Sequence, residues 1–251
     1  MIRNLLLALY ALGAYGIGML SLVALMGFLL NLTPFAAIDT GTSPDPLAAV
    51  FVNLALLAGY FCLHSVMARP GFKQRWTRII PPALERSTYI LVAGATLLAL
   101  MALWQPLPGV IWRSEAIWLT ALLYGVNALG WTVMVLATFH IDHFDFFGLK
   151  QVWLAIQGRI SGPAPFSARY LYGVVRHPIS LGWILVFWAT PEMSVGHLLM
   201  ATVATAYIFI ITPVEEADLV REIGEPYRTY QRQVRAFVPV PKTRAAEKLH
   251  T

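Results

Sequence analysis

The sequence of 251 residues holds one cysteine, Cys62, and only 12% of its residues are charged. A lone thiol excludes a disulfide framework and a thiolate-bound metal cluster. Charged residues make up about 25% of an ordinary soluble domain, so so low a share excludes that class. No internal repeat is evident either, which weighs against the inverted-repeat design of many transporters. What is present is apolar: 58% of the residues, with a mean hydropathy of +0.64.

The first apolar run, Leu5 to Leu30, follows Arg3 and has the position of a signal peptide. It is longer than the roughly 7–15 residues of a signal core, and no small-residue cleavage site follows it, so it reads as a membrane span. Gly13, Gly16, Gly18 and Ser21 interrupt it with side chains small enough for a close helix neighbour. A span needs on the order of 20 apolar residues. Further runs satisfy this at 47–68, 87–104 and 116–138, and a longer one covers 179–212. Pro191, Glu192, Ser194 and Gly196 break the last run, which is predicted to form a hairpin of two shorter helices. The expectation is an all-α polytopic membrane bundle of six spans. It forms one domain, 1–251, with a four-helix membrane part at 1–138 and a ligand-binding part at 139–251.

The cations support that count. Of the 18 Lys and Arg residues, all except Arg113 lie near the N-terminus, in 69–86, in 139–178, or beyond 214. Six spans with both termini inside place every one of them on the cytoplasmic side, as the positive-inside rule requires of a bacterial inner-membrane protein. The net charge of +5 is therefore explained by topology, and a nucleic-acid partner is not expected. The two long polar segments, 139–178 and 214–251, then both face the cytoplasm.

Two stretches carry chemistry. In Tyr172-Gly-Val-Val-Arg-His-Pro-Ile-Ser-Leu-Gly-Trp183, proline holds His177 out of the helical region, and Pro178 suits the first turn of a new helix. Arg176 and His177 then sit at a helix N-terminus, a favourable place for an anion such as a carboxylate. The plainer alternative is a cytoplasmic boundary marked by Arg176, with His177 as a cap. In Thr212-Pro-Val-Glu-Glu-Ala-Asp-Leu-Val-Arg-Glu-Ile-Gly-Glu-Pro-Tyr-Arg-Thr-Tyr230, Thr212, Pro213 and Glu215 have the spacing of a capping box opening a helix that Gly224 and Pro226 end. Glu216 lacks that structural reason and can pair with an ammonium group or with Arg176. Tyr227 and Tyr230 share a helical face, as interfacial residues or as an adenine platform.

These two stretches, in this order, resemble the isoprenylcysteine carboxyl methyltransferase-like membrane methyltransferases over about residues 170–240. One position departs: Ser180 stands where members commonly carry tyrosine. Upstream, Leu63-His-Ser-Val-Met-Ala-Arg69, Phe72-Lys73, Pro81, Glu85-Arg86-Ser87 and Tyr89 are similar to the NnrU-like branch. Within that branch, Phe139-His-Ile-Asp-His-Phe-Asp-Phe-Phe-Gly-Leu-Lys-Gln-Val152 resembles the bacterial members that methylate a small thiol, methanethiol, to dimethyl sulfide.

The resemblance implies S-adenosylmethionine as cofactor and S-adenosylhomocysteine as product. It places Tyr172, Arg176, His177, Pro178, Gly182, Glu215, Glu216, Tyr227 and Tyr230 around that cofactor. It also directs the search for a base to His140, Asp142, His143 and Asp145, with His143 oriented by Asp145 or another carboxylate as first choice. A base is useful because the thiolate is the nucleophile. His64 and Arg69 are the substrate-side candidates, since polar groups within a span need a reason; a packing hydrogen bond would also serve. No metal is required. No Gly-x-Gly-x-x-Gly follows a strand pattern, so the soluble methyltransferase fold is excluded. Competing expectations are a prenylcysteine or lipid acceptor, a haem held by membrane histidines as in carotene isomerase relatives of the branch, a di-iron oxidase, and a transporter or assembly factor.

Overall fold

The computed structural model describes residues 1–32, 37–160, 162, 166 and 168–240. Long apolar stretches become helices, and five of these are long and apolar enough to cross a membrane. They are α1 (Ile2–Leu29), α2 (Pro46–Ala68), α4 (Glu85–Leu103), α5 (Ile117–Ile141) and α10 (Val195–Ile223). Shorter helices lie between and after them: α3 (Pro70–Trp76), α6 (His143–Phe146), α7 (Leu149–Ile156), α8 (Leu171–Val174), α9 (Pro178–Trp188) and α11 (Glu225–Gln233). Local chemistry sets the boundaries. Asp45 caps α2 by accepting from the amides of Leu47 and Ala48, each at 3.0 Å, with Pro46 at the first helical position. Gly224, at φ +79°, ends α10.

The 179–212 stretch breaks where expected but divides unevenly. Its first helix, α9, has 11 residues, or about 16 Å, roughly half the hydrocarbon thickness. Its second, α10, has 29. Between them β2 (Glu192–Ser194) pairs antiparallel with β1 (Val110–Arg113), and Arg113 clasps Glu192 at 2.7 and 2.8 Å. The capping-box expectation is overturned. Thr212 and Pro213 lie inside α10, and the Thr212 hydroxyl donates to the carbonyl of Ile208 at 2.7 Å instead of opening a helix. Pro213 deprives only the Phe209 carbonyl of a donor, a loss that one helix can absorb without ending.

The bundle is assembled on close approaches and buried amides. The small-residue reading of α1 holds at Gly18, which lies against Gly94 of α4; a methyl group on Gly94 would stand 3.1 Å from the Gly18 Cα. Gly13 and Gly16 face open space and do no such work. Gly130 of α5 and Gly182 of α9 meet in the same manner, each close to the other's carbonyl oxygen. Asn127, buried, donates to the Val186 carbonyl at 3.0 Å and fixes α5 on α9. Asn53, also buried, exchanges two bonds with the Gln105 backbone at 2.8 and 2.9 Å and fixes α2 to the end of α4. Phe28, Leu57, Leu97, Met134, Val186 and Met200 form the core between these contacts.

One end of the bundle collects the candidate residues. Tyr10 of α1 bonds Thr88 of α4 at 2.9 Å, Arg69 at the end of α2 bonds Asp218 of α10 at 2.7 Å, and Arg86 of α4 donates to the Phe146 carbonyl at 2.6 Å. The N-terminal half of α1 and the end of α10 therefore share this end. Of the six expected spans, five are helices long and apolar enough to cross a membrane among the described residues, and α9 is shorter.

Candidate functional site

His177 has φ −123° and ψ 66°, outside the helical region, and Pro178 begins α9, as the proline rule demands. The His177 side chain does not cap the helix. The backbone around it is instead zipped to a later segment: the amide of Arg176 donates to the Arg235 carbonyl at 2.9 Å, and that of His177 to the Ala236 carbonyl at 3.0 Å. This pairing sets both side chains toward Glu216 of α10. Arg176 Nε and Nη2 both approach Glu216 Oε1 at 2.7 Å, and His177 Nε2 meets the same oxygen at 2.9 Å. Gln231 Nε2 donates to Oε2 at 2.8 Å. Arg176 Nη1 reaches the carbonyls of Gln231 and Val234. The three charged or titratable side chains are 9–13% exposed, so the pairing is strongly felt.

Beside this cluster stands Glu215. It is half-buried and has no hydrogen-bond partner among the described residues, while His177 and Arg69 are its neighbours. Tyr227 and Tyr230 on α11 are buried, with ring centroids 5.7 Å apart edge to face, and Phe166 packs against both. The Tyr230 hydroxyl donates to the Tyr172 carbonyl. Burial pushes the phenols of Tyr172 and Tyr227 well above their ordinary range, and that of Tyr230 up to about 12, so all three are protonated donors at neutral pH. Gly182 does not join this group. It is buried against Gly130 and Met134, where its lack of a side chain lets α9 meet α5.

The acceptor-side candidates fall into two separate places. His143 is enclosed by the rings of Phe139, Phe144, Phe147 and Tyr15. Its Nδ1 lies 2.8 Å from the Thr138 hydroxyl and its Nε2 3.0 Å from the Tyr15 hydroxyl. Thr138 donates to the Val135 carbonyl, so it accepts from Nδ1–H, and Nε2 accepts from Tyr15. Desolvation lowers the His143 pKa against a weaker opposing pull from Asp142. The expected Asp145 orienter is replaced by Thr138. The Asp145 amide donates to Asp142, whose carboxylate caps α6 at φ +107° and pairs with Lys150. The Lys150 bond holds the Asp142 carboxyl below its usual range, against the cost of desolvation. His140 stacks on Tyr170 with centroids 4.7 Å apart, and its Nδ1 is buried without a partner among the described residues.

His64 occupies the second place, between α2 and α4. The Tyr89 hydroxyl lies 2.8 Å from its Nε2 and 3.2 Å from its Nδ1, and the Tyr60 ring stacks on it at 5.7 Å. Arg69 is committed to Asp218, which also holds Arg221 at 3.1 Å. Sequence reasoning missed Tyr15, Thr138 and Gln231, and had Tyr89 as a residue of the NnrU-like resemblance without a site role. A tyrosine within a span was the available signal for Tyr15 and Tyr89; Thr138 and Gln231 had none. Among the described residues no three His, Cys, Asp or Glu side chains converge in a way that could hold a metal ion.

No family model matches the chain, and no solved structure does. Curated relatives do match. Methanethiol S-methyltransferase 2 of Bradyrhizobium diazoefficiens is 43% identical over 242 residues, covering 95% of this chain and 92% of that protein. Methanethiol S-methyltransferase of Mycobacterium tuberculosis is 41% identical over 239 residues, covering 95% and 98%. Nurim of Xenopus laevis is 30% identical over 176 residues, covering 66% and 61%.

Proposed function

The chain belongs to the methanethiol S-methyltransferase family of membrane proteins, and on that premise we propose that it methylates methanethiol to dimethyl sulfide with S-adenosylmethionine as the donor. At the site itself, the observation that supports a sulfonium amino acid as ligand is Glu215. A half-buried carboxyl group without a hydrogen-bonding partner among the described residues, next to a carboxylate already held by Arg176, His177 and Gln231, suits a ligand that brings its own positive charge.

When bound, the cofactor supplies a methyl group on a positively charged sulfur; the remaining tasks fall to the protein. Arg176, His177 and Glu216 form a paired floor at the start of α9, and the first-turn amides of that helix would receive the ligand's carboxylate. Glu215 offers the counter-charge for its ammonium. Tyr172, Tyr227, Tyr230 and Phe166 wall in the nucleoside and exclude water. Methyl transfer between sulfurs is an in-line displacement, so alignment and dryness carry most of the catalysis. The thiol must also lose its proton, and both acceptor-side groups, His140, His143 and Asp145 on one side and His64 and Arg69 on the other, stand at the same end of the bundle. The concentration of cations at this end supports its lying on the cytoplasmic face of a bacterial inner membrane, where the cofactor is available.

The test is incubation of detergent-solubilised protein with labelled S-adenosylmethionine and methanethiol. Labelled dimethyl sulfide in the headspace and calorimetric binding of S-adenosylhomocysteine are expected. Label transferred only to a lipid or prenylcysteine would reassign the acceptor, and no affinity for either nucleotide would end the proposal.

A further inference from the structure

Resting on that reading of the reaction, we infer that His64, and not His143, takes the proton from the thiol, in a small apolar recess between α2 and α4.

The two histidines differ in what their nitrogens can still do. His143 has a separate partner for each nitrogen, Thr138 and Tyr15, and aromatic rings on every side. To accept a proton it would have to break one of these bonds. His64 has one partner for two nitrogens. The Tyr89 hydroxyl lies within reach of both, but the two ring nitrogens point in diverging directions in the ring plane, so one hydroxyl can align with only one of them. With Nε2–H donated to Tyr89, the lone pair of Nδ1 is left uncommitted. An imidazole with one fixed and one open nitrogen is the arrangement that general-base catalysis needs.

The surroundings match a small apolar acceptor. His64 and Tyr89 border a crevice walled by Leu63, Met67, Val92, Ala93 and Thr96, whose hydroxyl is turned to the Val92 carbonyl. It is too tight to hold a water molecule, so its occupant must displace a flexible wall, and Met67 is the side chain that can yield to a one-carbon thiol. The recess also adjoins the cofactor cluster. Ser65 bonds Tyr207 of α10 at 2.8 Å and Arg69 bonds Asp218, which brackets Glu215 and Glu216 from the α2 side. Glu215 is an electrostatic neighbour of His177 on one side and of Arg69, Tyr89 and Tyr207 on the other. The charged and titratable groups around His64 are Tyr60 and Arg69 on its own helix, Tyr89 and Arg86 from α4, and Tyr207 and Glu215 from α10, with Lys73 beyond Arg86. In the step, the thiol sulfur forms a bond to the donor methyl as the donor's own carbon–sulfur bond breaks. The S–H proton passes to the open His64 nitrogen and leaves to water between turnovers.

Three measurements decide it. His64→Gln is expected to lower kcat/KM for methanethiol by about 100-fold, the usual worth of a general base, and to abolish the acid limb of the pH profile, which His143→Gln retains. The His64→Gln loss is expected to be smaller for 2,2,2-trifluoroethanethiol than for ethanethiol, since the more acidic thiol needs less help. In protein labelled with 15N-histidine, a ring-nitrogen resonance absent from His64→Gln is expected to shift when ethanethiol is added. Should His64→Gln fail to fold, Tyr89→Phe, which keeps the ring and removes the hydroxyl, moves the acid limb if the inference is right. A wild-type enzyme that methylates methanethiol, with His64→Gln retaining its rate, acid limb and ordinary thiol preference, overturns the inference and leaves the proposed function standing. No methyl transfer by the wild type overturns the function first.

Discussion

Arg176 meets Glu216 through two nitrogens on a single carboxylate oxygen, Nε and Nη2 each 2.7 Å from Oε1, while Oε2 is held by Gln231. The pair is buried and each partner's remaining valences are used, so neither can be removed without stranding the other. Glu216→Gln leaves the guanidinium without its anion and is expected to cost about 3 kcal/mol. A lower melting temperature and at least tenfold weaker binding of S-adenosylhomocysteine by calorimetry are the checks.

Gly182→Ala probes the helix contact on which that pair depends. The added methyl would lie 2.4 Å from Met134 Cγ and 2.7 Å from the Gly130 carbonyl oxygen. The methionine can yield, but the backbone of α5 cannot, so α9 must move and take Pro178 and His177 with it. A loss of about 1–3 kcal/mol is expected from overpacking. Methyl transfer should fall further than stability alone explains, and a chemical melt run beside the headspace assay separates the two.

The pH dependence of stability reports on His143. Its desolvated imidazole binds a proton less readily in the folded protein than in the unfolded chain. Stability is therefore complete above the ordinary histidine pKa of about 6.5 and falls as pH drops from there through the folded value. Melting temperatures of the wild type and of His143→Gln are expected to converge as pH is lowered from about 7.5 to about 5, because the variant lacks this proton uptake. Parallel curves would contradict the burial seen here.

Tyr230→Phe removes one hydroxyl and its bond to the Tyr172 carbonyl. The expected cost is about 1 kcal/mol in stability, with a rise in KM for the cofactor and little change in kcat. A fall in kcat at unchanged KM would place Tyr230 in the chemistry instead of in the wall.

The spans were legible because twenty consecutive apolar residues leave the backbone no better choice than a helix. The Arg176, His177 and Glu216 set was legible from motif order. Their convergence was legible in part: Glu216 was expected to pair with Arg176, as it does, whereas the backbone bonds to Arg235 and Ala236 that orient Arg176 and His177 have no side-chain signature. The Tyr15–His143 contact joins residues 128 apart, and hydropathy reports that a residue lies in a span without reporting which helix it faces. Pro213 was misread for a physical reason. A proline that opens a helix and one that sits within a long helix have the same local sequence, and only the helix running into it from the N-terminal side distinguishes them. Asp145 or another carboxylate was the expected orienter of His143; the hydroxyl of Thr138, five residues before it, holds Nδ1 instead.

The backbone pairing of Val175–His177 with Arg235 and Ala236 gives the tail of the protein an influence far beyond its length. A stop codon at Arg235 would delete no membrane helix and no motif residue, and the shortened protein should still insert and remain folded through α10. It would nevertheless release the guanidinium and imidazole from their orientation, and inactivity with an intact helical circular-dichroism spectrum is the expected result. Affinity handles fused after Val240 leave this clasp undisturbed, whereas any that replace residues 235–237 would yield pure, well-behaved and silent enzyme.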